Sequence, residues 1–421
     1  MRQKFLRFVA DLRFAIITLL AISVCSVIGT VIEQDQPMQV YKTNYPLTDP
    51  LFTVLSWDKI LRFGLDHVYK TWWFLSLIFL FGVSLLTCTF LQQFPALKIA
   101  RRCQFFRRAQ QFNSLNVSTV VIGSQFTKIL SELNKKRYCL FQQKDIVYGY
   151  KGLAGRIAPI IVHFSMVLIL VGTVISAIFS FKAQEVLPGG EISRTQNILS
   201  IGPLTVISNN SVRVNDFWIT YTKQGTISQF YSDLSILNDY GSETKRQTSF
   251  VNSPLIDKTT YYYQTDWNLI GLRFRDLKNQ ITEFPLVQPL SNNSKIWLTW
   301  IPNSSKQDSG VILILDNAEG YCSVYDNQGL FLGNLELNEK KNVVLSTVFL
   351  EILSSTGLQI KSDPGIPIIY SGSFLLMLSA LVSYITYSQI WIIRKTDKII
   401  LGGNTNRATF DFELEFFELM K

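Results

Sequence analysis

Few side chains in this chain are of a type that does chemistry, and the two histidines, His67 and His163, head that short group. An imidazole can pass a proton, hydrogen-bond through either ring nitrogen or hold a metal. His163 lies in KGLAGRIAPIIVHFSMVLILVGTVISAIFS, from Lys151 to Ser180, an apolar run long enough to cross a bilayer. Lipid surrounds any unpartnered polar group there, and ionisable side chains inside membrane spans are costly and tend to be functional. Counted from Ile157, His163 is about six residues in, hence roughly 9 Å deep. Pro159 falls in the first turn, where its missing N–H costs little.

Two roles stay open for this imidazole: a hydrogen bond to a neighbouring helix, or ligation of a haem iron. Lys151 and Arg156 stand at the mouth of the run, where they can meet haem propionates; as interfacial cations they also serve as topology signals. His67 comes just before a second apolar run and so belongs to the opposite membrane face, about a bilayer thickness away. Unless a helix re-enters the membrane, the two histidines therefore cannot share one iron, and a six-coordinate iron at His163 needs its second ligand from another chain.

Other chemistries find no residues. The long polar region before the last apolar run has no histidine, so no Ser-His-Asp or Cys-His arrangement can be built in it. No GxGxxG or GxxxxGK[ST] loop occurs. Asp216, Asp233 and Asp266 are scattered carboxylates of the kind that populate turns. The five cysteines (Cys25, Cys88, Cys103, Cys139, Cys322) form no CxxC pair or metal-ligand spacing, and Cys322 has no disulfide partner in its own region. A net charge of +9 raises nucleic acid as a partner, but the basic residues cluster beside apolar runs, where membrane topology explains them. By its motifs the chain is not an enzyme on its own.

The elements that must position these residues are those of a polytopic α-helical membrane protein with four transmembrane helices and a large antiparallel β-rich domain. The expected order is an N-terminus 1–13, a first span 14–32, a loop 33–70 and a second span 71–91 opened by Trp72-Trp73. A basic loop 92–156, a third span 157–180, the β-rich region 181–365, a fourth span 366–393 and a tail 394–421 follow. The first run lacks a cleavage site after it and reads as a retained anchor. The positive-inside rule puts both termini and the basic loop on the cytoplasmic or stromal side, and the β-rich region opposite. In the basic loop, Phe126, Ile129, Leu130 and Leu133 predict a short amphipathic helix, and Tyr138–Phe141 with Ile146–Tyr150 predict a hairpin. In the β region, alternation is plain in Val212, Val214, then Phe217, Ile219, Tyr221, and again in Val311, Leu313, Leu315. Turns fall at Pro188-Gly189-Gly190, Asp239-Tyr240-Gly241 and Asp326–Gly329, which argues for a sandwich or barrel-like domain. Sequons such as Asn303-Ser304-Ser305 matter only in a secretory route.

Several stretches in order resemble one family. They are SVIGTVIEQ from Ser26 to Gln34, YKTWWF from Tyr69 to Phe74, and Lys151-Gly152, Arg156, Pro159 and His163-Phe164-Ser165. Ser232–Ser235, Val251–Leu255 and Tyr263–Trp267 follow in the β region, then Gly357–Lys361, Asp363–Gly365, Ser383-Tyr384 and Gly402-Gly403 with Asn406-Arg407-Ala408. Together they resemble the ResB/CcsB-type cytochrome c biogenesis proteins of bacteria, cyanobacteria and plastids. The resemblance implies haem delivery and attachment to apocytochrome c (system II) with a CcsA-type membrane partner and a thiol-reducing thioredoxin-like protein. It implies transient haem b, with His163 as an intramembrane axial ligand. Asn252, Pro254, Tyr263, Gln264 and Trp267 match motifs and are candidate apocytochrome contacts, though Pro and Asn equally suit turns and Tyr and Trp a core. The rival expectation is a membrane-anchored assembly module that never touches haem; a transporter would show repeats or broken helices. The absence of a transit leader and the abundance of Phe, Ile, Asn and Lys lean toward a plastid-encoded protein of a thylakoid membrane, with a cyanobacterial thylakoid or bacterial plasma membrane as the alternative.

Overall fold

Four helices are long and apolar enough to cross a membrane: Leu12–Val31, Trp72–Ala100, Ala154–Phe179 and Ile366–Ser383. Side chains such as Ile17, Leu20 and Val24 on the first, or Phe374, Met377 and Leu381 on the fourth, point outward and stay exposed, as in helices that are apolar all round and meet lipid. The computed structural model describes residues 2–48, 50–51, 55–122, 125–224, 226–276, 279–289, 296–302, 310–338, 348–395 and 398–419. The sequon Asn303-Ser304-Ser305 lies outside the described residues. The chain divides into a helical unit, Met1–Ala177 with Pro364–Lys421, and a β unit, Ile178–Asp363.

Within the helical unit, small residues set how closely the third and fourth spans approach. A Cβ on Gly172 or Gly372 would press on Ile369 or Ile169 and on facing backbone, the close approach that small residues permit in membranes. The second span packs against the first and against the short helix Arg2–Val9 ahead of it, where Ser84 donates to the Val9 carbonyl at 2.8 Å and Gln92 to that of Ala10 at 3.0 Å. Its helix does not end at residue 91 as expected but runs on to Ala100, through a π-helical turn at Thr89–Gln93 and a last segment Phe94–Ala100 carrying Pro95. Pro95 has no N–H to give the ladder, and the Phe94 N–H reaches back five residues to the Thr89 carbonyl.

The fourth span, expected to reach residue 393, stops at Ser383; Ser388–Lys395 is a strand. Ile390, Trp391, Ile392 and Ile393 are all buried, and a short continuous apolar run of this kind cannot be assigned to helix or strand by periodicity. The tail is likewise no tail. Strands Val117–Ile122, Lys398–Thr405, Ser388–Lys395, Ile146–Lys151 and Cys139–Gln143 join in that order as one antiparallel sheet. Helices Phe126–Lys135 and Thr409–Glu418 bury Ile129, Leu133, Phe412 and Phe416 with Ile392 and Leu401 of that sheet. The expected hairpin and amphipathic helix are present; what the sequence left apart, basic loop and tail, folds as one body.

In the β unit the described strands form three antiparallel sheets, with Thr260–Arg275 and Val348–Ser362 as the longest pair. The alternation Val212, Val214, then Phe217, Ile219 changes phase because a register shift falls between Val214 and Asp216. A second shift between Gln264 and Asp266 turns Tyr262 and Trp267 into the same core-facing role on opposite parity. Such bulges insert one residue and reset which face the next residues meet. Each is pinned alike: Asp216 accepts from the Phe217 N–H and Asp266 from the Trp267 N–H, both at 2.8 Å.

Candidate functional site

Motif residues from the start of the third span and from the tail meet around the short connection from Ser383 to Tyr387. Gly152 has φ +76°, a left-handed conformation that favours glycine, and a Cβ there or on Gly155 would collide with the Thr386 or Ile385 carbonyl. From the tail, Arg407 donates to the Ser383 carbonyl at 3.1 Å and Asn406 accepts from the Tyr387 N–H at 2.9 Å. Tyr387 is buried, donates to the Ala100 carbonyl at 2.9 Å, and lies under the Arg156 guanidinium at 5.2 Å. Burial, with the neighbouring Tyr148 hydroxyl, pushes the Tyr387 phenol far above its ordinary value, so it stays neutral.

Two turns along the third span from Arg156 stands His163, half-buried. Seven residues at 3.6 per turn return nearly to the same face, about 10 Å further along the helix. The sequence left His163 without a partner; the structure supplies one, Thr89, whose hydroxyl oxygen is 2.9 Å from Nδ1. Thr89 is buried at the head of the π turn and also donates to the Leu85 carbonyl at 2.7 Å. Among the described residues nothing hydrogen-bonds His163 Nε2. Arg156 Nε is buried and likewise lacks a hydrogen-bond partner there. An imidazole nitrogen and a guanidinium N–H, both unused and on one helix face, form a donor set that fits an iron porphyrin with an acidic edge.

Lys151, also singled out by sequence, is already engaged: its ammonium lies 3.0 and 3.3 Å from the two Glu415 oxygens and 5.4 Å from the centre of the Tyr138 ring. His67 sits at the far end of the second span, Nδ1 2.9 Å from Asp66. From Trp72 to Thr89 the helix runs about 26 Å, so the two histidines stay at opposite ends of one span. That far end is tied by the opening motifs: Gln34 donates to the Leu65 carbonyl at 3.0 Å and accepts from the Val68 N–H at 2.9 Å, and Gly29 makes room for the Tyr69 ring.

The motif residues of the β unit make contacts within the fold. Trp267 packs in the core with Phe217, Phe230 and Trp297. Gln264, Ser232 and Thr356 are buried and hydrogen-bond one another, Ser232 to Thr356 at 2.8 Å and Thr356 to Gln264 at 2.9 Å. Tyr263 stacks on Tyr261 and carries the Lys361 ammonium at 5.0 Å. Asn252 takes φ +66° in a turn closed by Ser253 N–H to the Phe250 carbonyl, and the Pro254 carbonyl accepts from Gln247. Asp233 is held by Arg246, completing the account of the scattered carboxylates. Among the described residues no group of three or more His, Cys, Asp or Glu can hold a metal ion.

Sequence reasoning missed Thr89 and Tyr387. A threonine in an apolar run carries no mark of a partner elsewhere in the chain; the one local signal was Pro95, which announces an irregular helix end.

The chain is similar along its whole length to cytochrome c biogenesis proteins. It is 62% identical over 421 residues to Ccs1 of Phaeodactylum tricornutum, covering 100% of both chains. It is 58% identical to Ccs1 of Thalassiosira pseudonana, again over 100% of both. With CcsB of the cyanobacterium Trichormus variabilis it shares 44% identity over 427 aligned positions, 100% of this chain and 93% of the relative. The model of the ResB-like family matches residues 12–329 and 314–417. The chain belongs to the ResB-like family.

Proposed function

We propose that the chain acts in the biogenesis of c-type cytochromes, as the haem-transfer and scaffold subunit of a membrane complex. The names of its relatives support the process; the unused Nε2 of His163 is the observation that carries the role. His163 holds transient haem b, the cargo, through its iron, and Arg156 meets a propionate. Lys151 does not join them, because Glu415 neutralises it. The second axial ligand comes from a CcsA-type partner, since His67 lies at the other end of the second span. Haem supplies the vinyl groups that apocytochrome thiols attack, and a thioredoxin-like protein keeps those thiols reduced. The chain itself contributes binding and orientation, and attachment needs the partner.

The membrane is a thylakoid of plastid or cyanobacterial type, with the β unit in the lumen and the basic sheet on the stromal or cytoplasmic side. Clustered Lys and Arg beside the spans support that orientation. The test is replacement of the chain by His163→Ala in its own cell, reading covalent haem on c-type cytochromes and abundance of the chain. The expected result is a loss of about tenfold or more in holocytochrome at unchanged abundance, in line with the large cost of losing a metal ligand. Unchanged holocytochrome would overturn the proposal.

A further inference from the structure

We infer that Thr89 is a positioning residue that sets the tautomer of His163, placing the proton on Nδ1 and leaving the Nε2 lone pair exposed. A threonine hydroxyl has one proton and two lone pairs. The Leu85 carbonyl, 2.7 Å away, can only accept, so it takes that proton. Toward His163 the Thr89 oxygen then offers a lone pair, and the 2.9 Å contact is closed only by an Nδ1–H. A neutral imidazole carries one N–H, so Nε2 is bare.

The surroundings keep this arrangement from being exchanged for another. One turn deeper, the seam between the second and third spans is an apolar groove of about 280 Å³ lined by Ile78, Gly82 and Leu86 and by Val167, Leu170 and Val174. Among the described residues, those lining that groove are all apolar and none competes for Nδ1, and an apolar setting strengthens the bond that is made. Thr89 opens the π turn, a local widening that recurs at functional sites in helices. A partner on the distal nitrogen orients a ligating histidine and raises its basicity, and its loss typically weakens metal binding by about 10- to 100-fold. Thr89 would therefore govern how firmly His163 keeps its haem, so the purpose of the device rests on the haem role proposed above, whereas the tautomer rests on geometry alone.

The two are tested separately. The full-length chain with His67→Gln has a single imidazole, and ¹⁵N-histidine NMR of that protein in lipid reads its protonated nitrogen. Nδ1–H is expected; Nε2–H overturns the inference without touching the haem role. In the complex with its partner, Thr89→Val should lower the imidazole concentration that half-replaces His163 on the haem iron by about 10- to 100-fold and raise the haem midpoint potential. Thr89→Ser, which keeps the hydroxyl, should match the parent in both. Equal displacement curves for Thr89→Val and the parent overturn the positioning role. Where Thr89→Val does not accumulate, the NMR reading on the unaltered Thr89 decides. Haem content unaffected by His163→Ala overturns the haem role and leaves the tautomer standing.

Discussion

The helical unit and the β unit each carry a set of motif residues, and the two sets use their polar atoms in opposite ways. In the β unit, Gln264 is closed into a buried ring with Ser232 and Thr356 and reaches the Asp266 carbonyl at 2.9 Å, while Trp267 sits among aromatic side chains. In the helical unit, glycines and backbone caps do the holding, and the imidazole and guanidinium beside them keep atoms unbonded. A buried polar atom without a partner is destabilising, and among the described residues Arg156 Nε is one such atom. The motif residues therefore divide into those whose polar atoms are closed within the fold and those, His163 and Arg156, with an atom that no described residue bonds.

The largest effect separating the two sets should come from Trp267→Ala. Truncating a buried tryptophan costs about 3–5 kcal/mol, which thermal unfolding of the purified chain will register, while haem per folded molecule stays the same. If haem falls in proportion with no change in unfolding, the β unit does more than fold. Next is Arg156→Gln, which removes a charge-assisted hydrogen bond worth about 1.5–3 kcal/mol and should weaken haem retention by about tenfold or more. Lys151→Met is its control: a partly exposed ion pair contributes about 0–1 kcal/mol, and haem retention should not move. Equal losses in the two variants would erase the distinction drawn between them.

The smallest effect is chemical. Burial in the β unit core pushes the Cys322 thiol up to about 12, so it stays protonated and enclosed at pH 8. Cys103 and Cys139 are exposed. A maleimide reagent at pH 8 should label those two and spare Cys322 until the chain is denatured; native labelling of Cys322 would mean that its core opens.

What was legible in the sequence tracks what is local. Four spans, the hairpin at Cys139–Lys151 and the turns at Gly190, Gly241 and Gly329 follow from hydropathy, alternation and positive-φ glycines. The bulge after Val214 shows in the sequence as a change of parity between Val214 and Phe217, whereas the one between Gln264 and Asp266 left no such mark in the alternation read there. The end of the fourth span was misplaced because Ile390–Ile393 is as apolar as a helix interior. The joining of basic loop and tail was hidden for a different reason, since strands Val117–Ile122 and Lys398–Thr405 pair across most of the chain. His163 was found from burial and residue type; Thr89 was not, because the pairing of positions 89 and 163 is made by the packing of two helices.

The most direct measurement is the haem absorption spectrum of the detergent-purified complex, with parent chain and with His163→Ala, before and after adding imidazole. A haem band that falls by about tenfold or more on loss of the ligand, and returns in part with imidazole, is the predicted result. The same band at the same intensity in both proteins would contradict it.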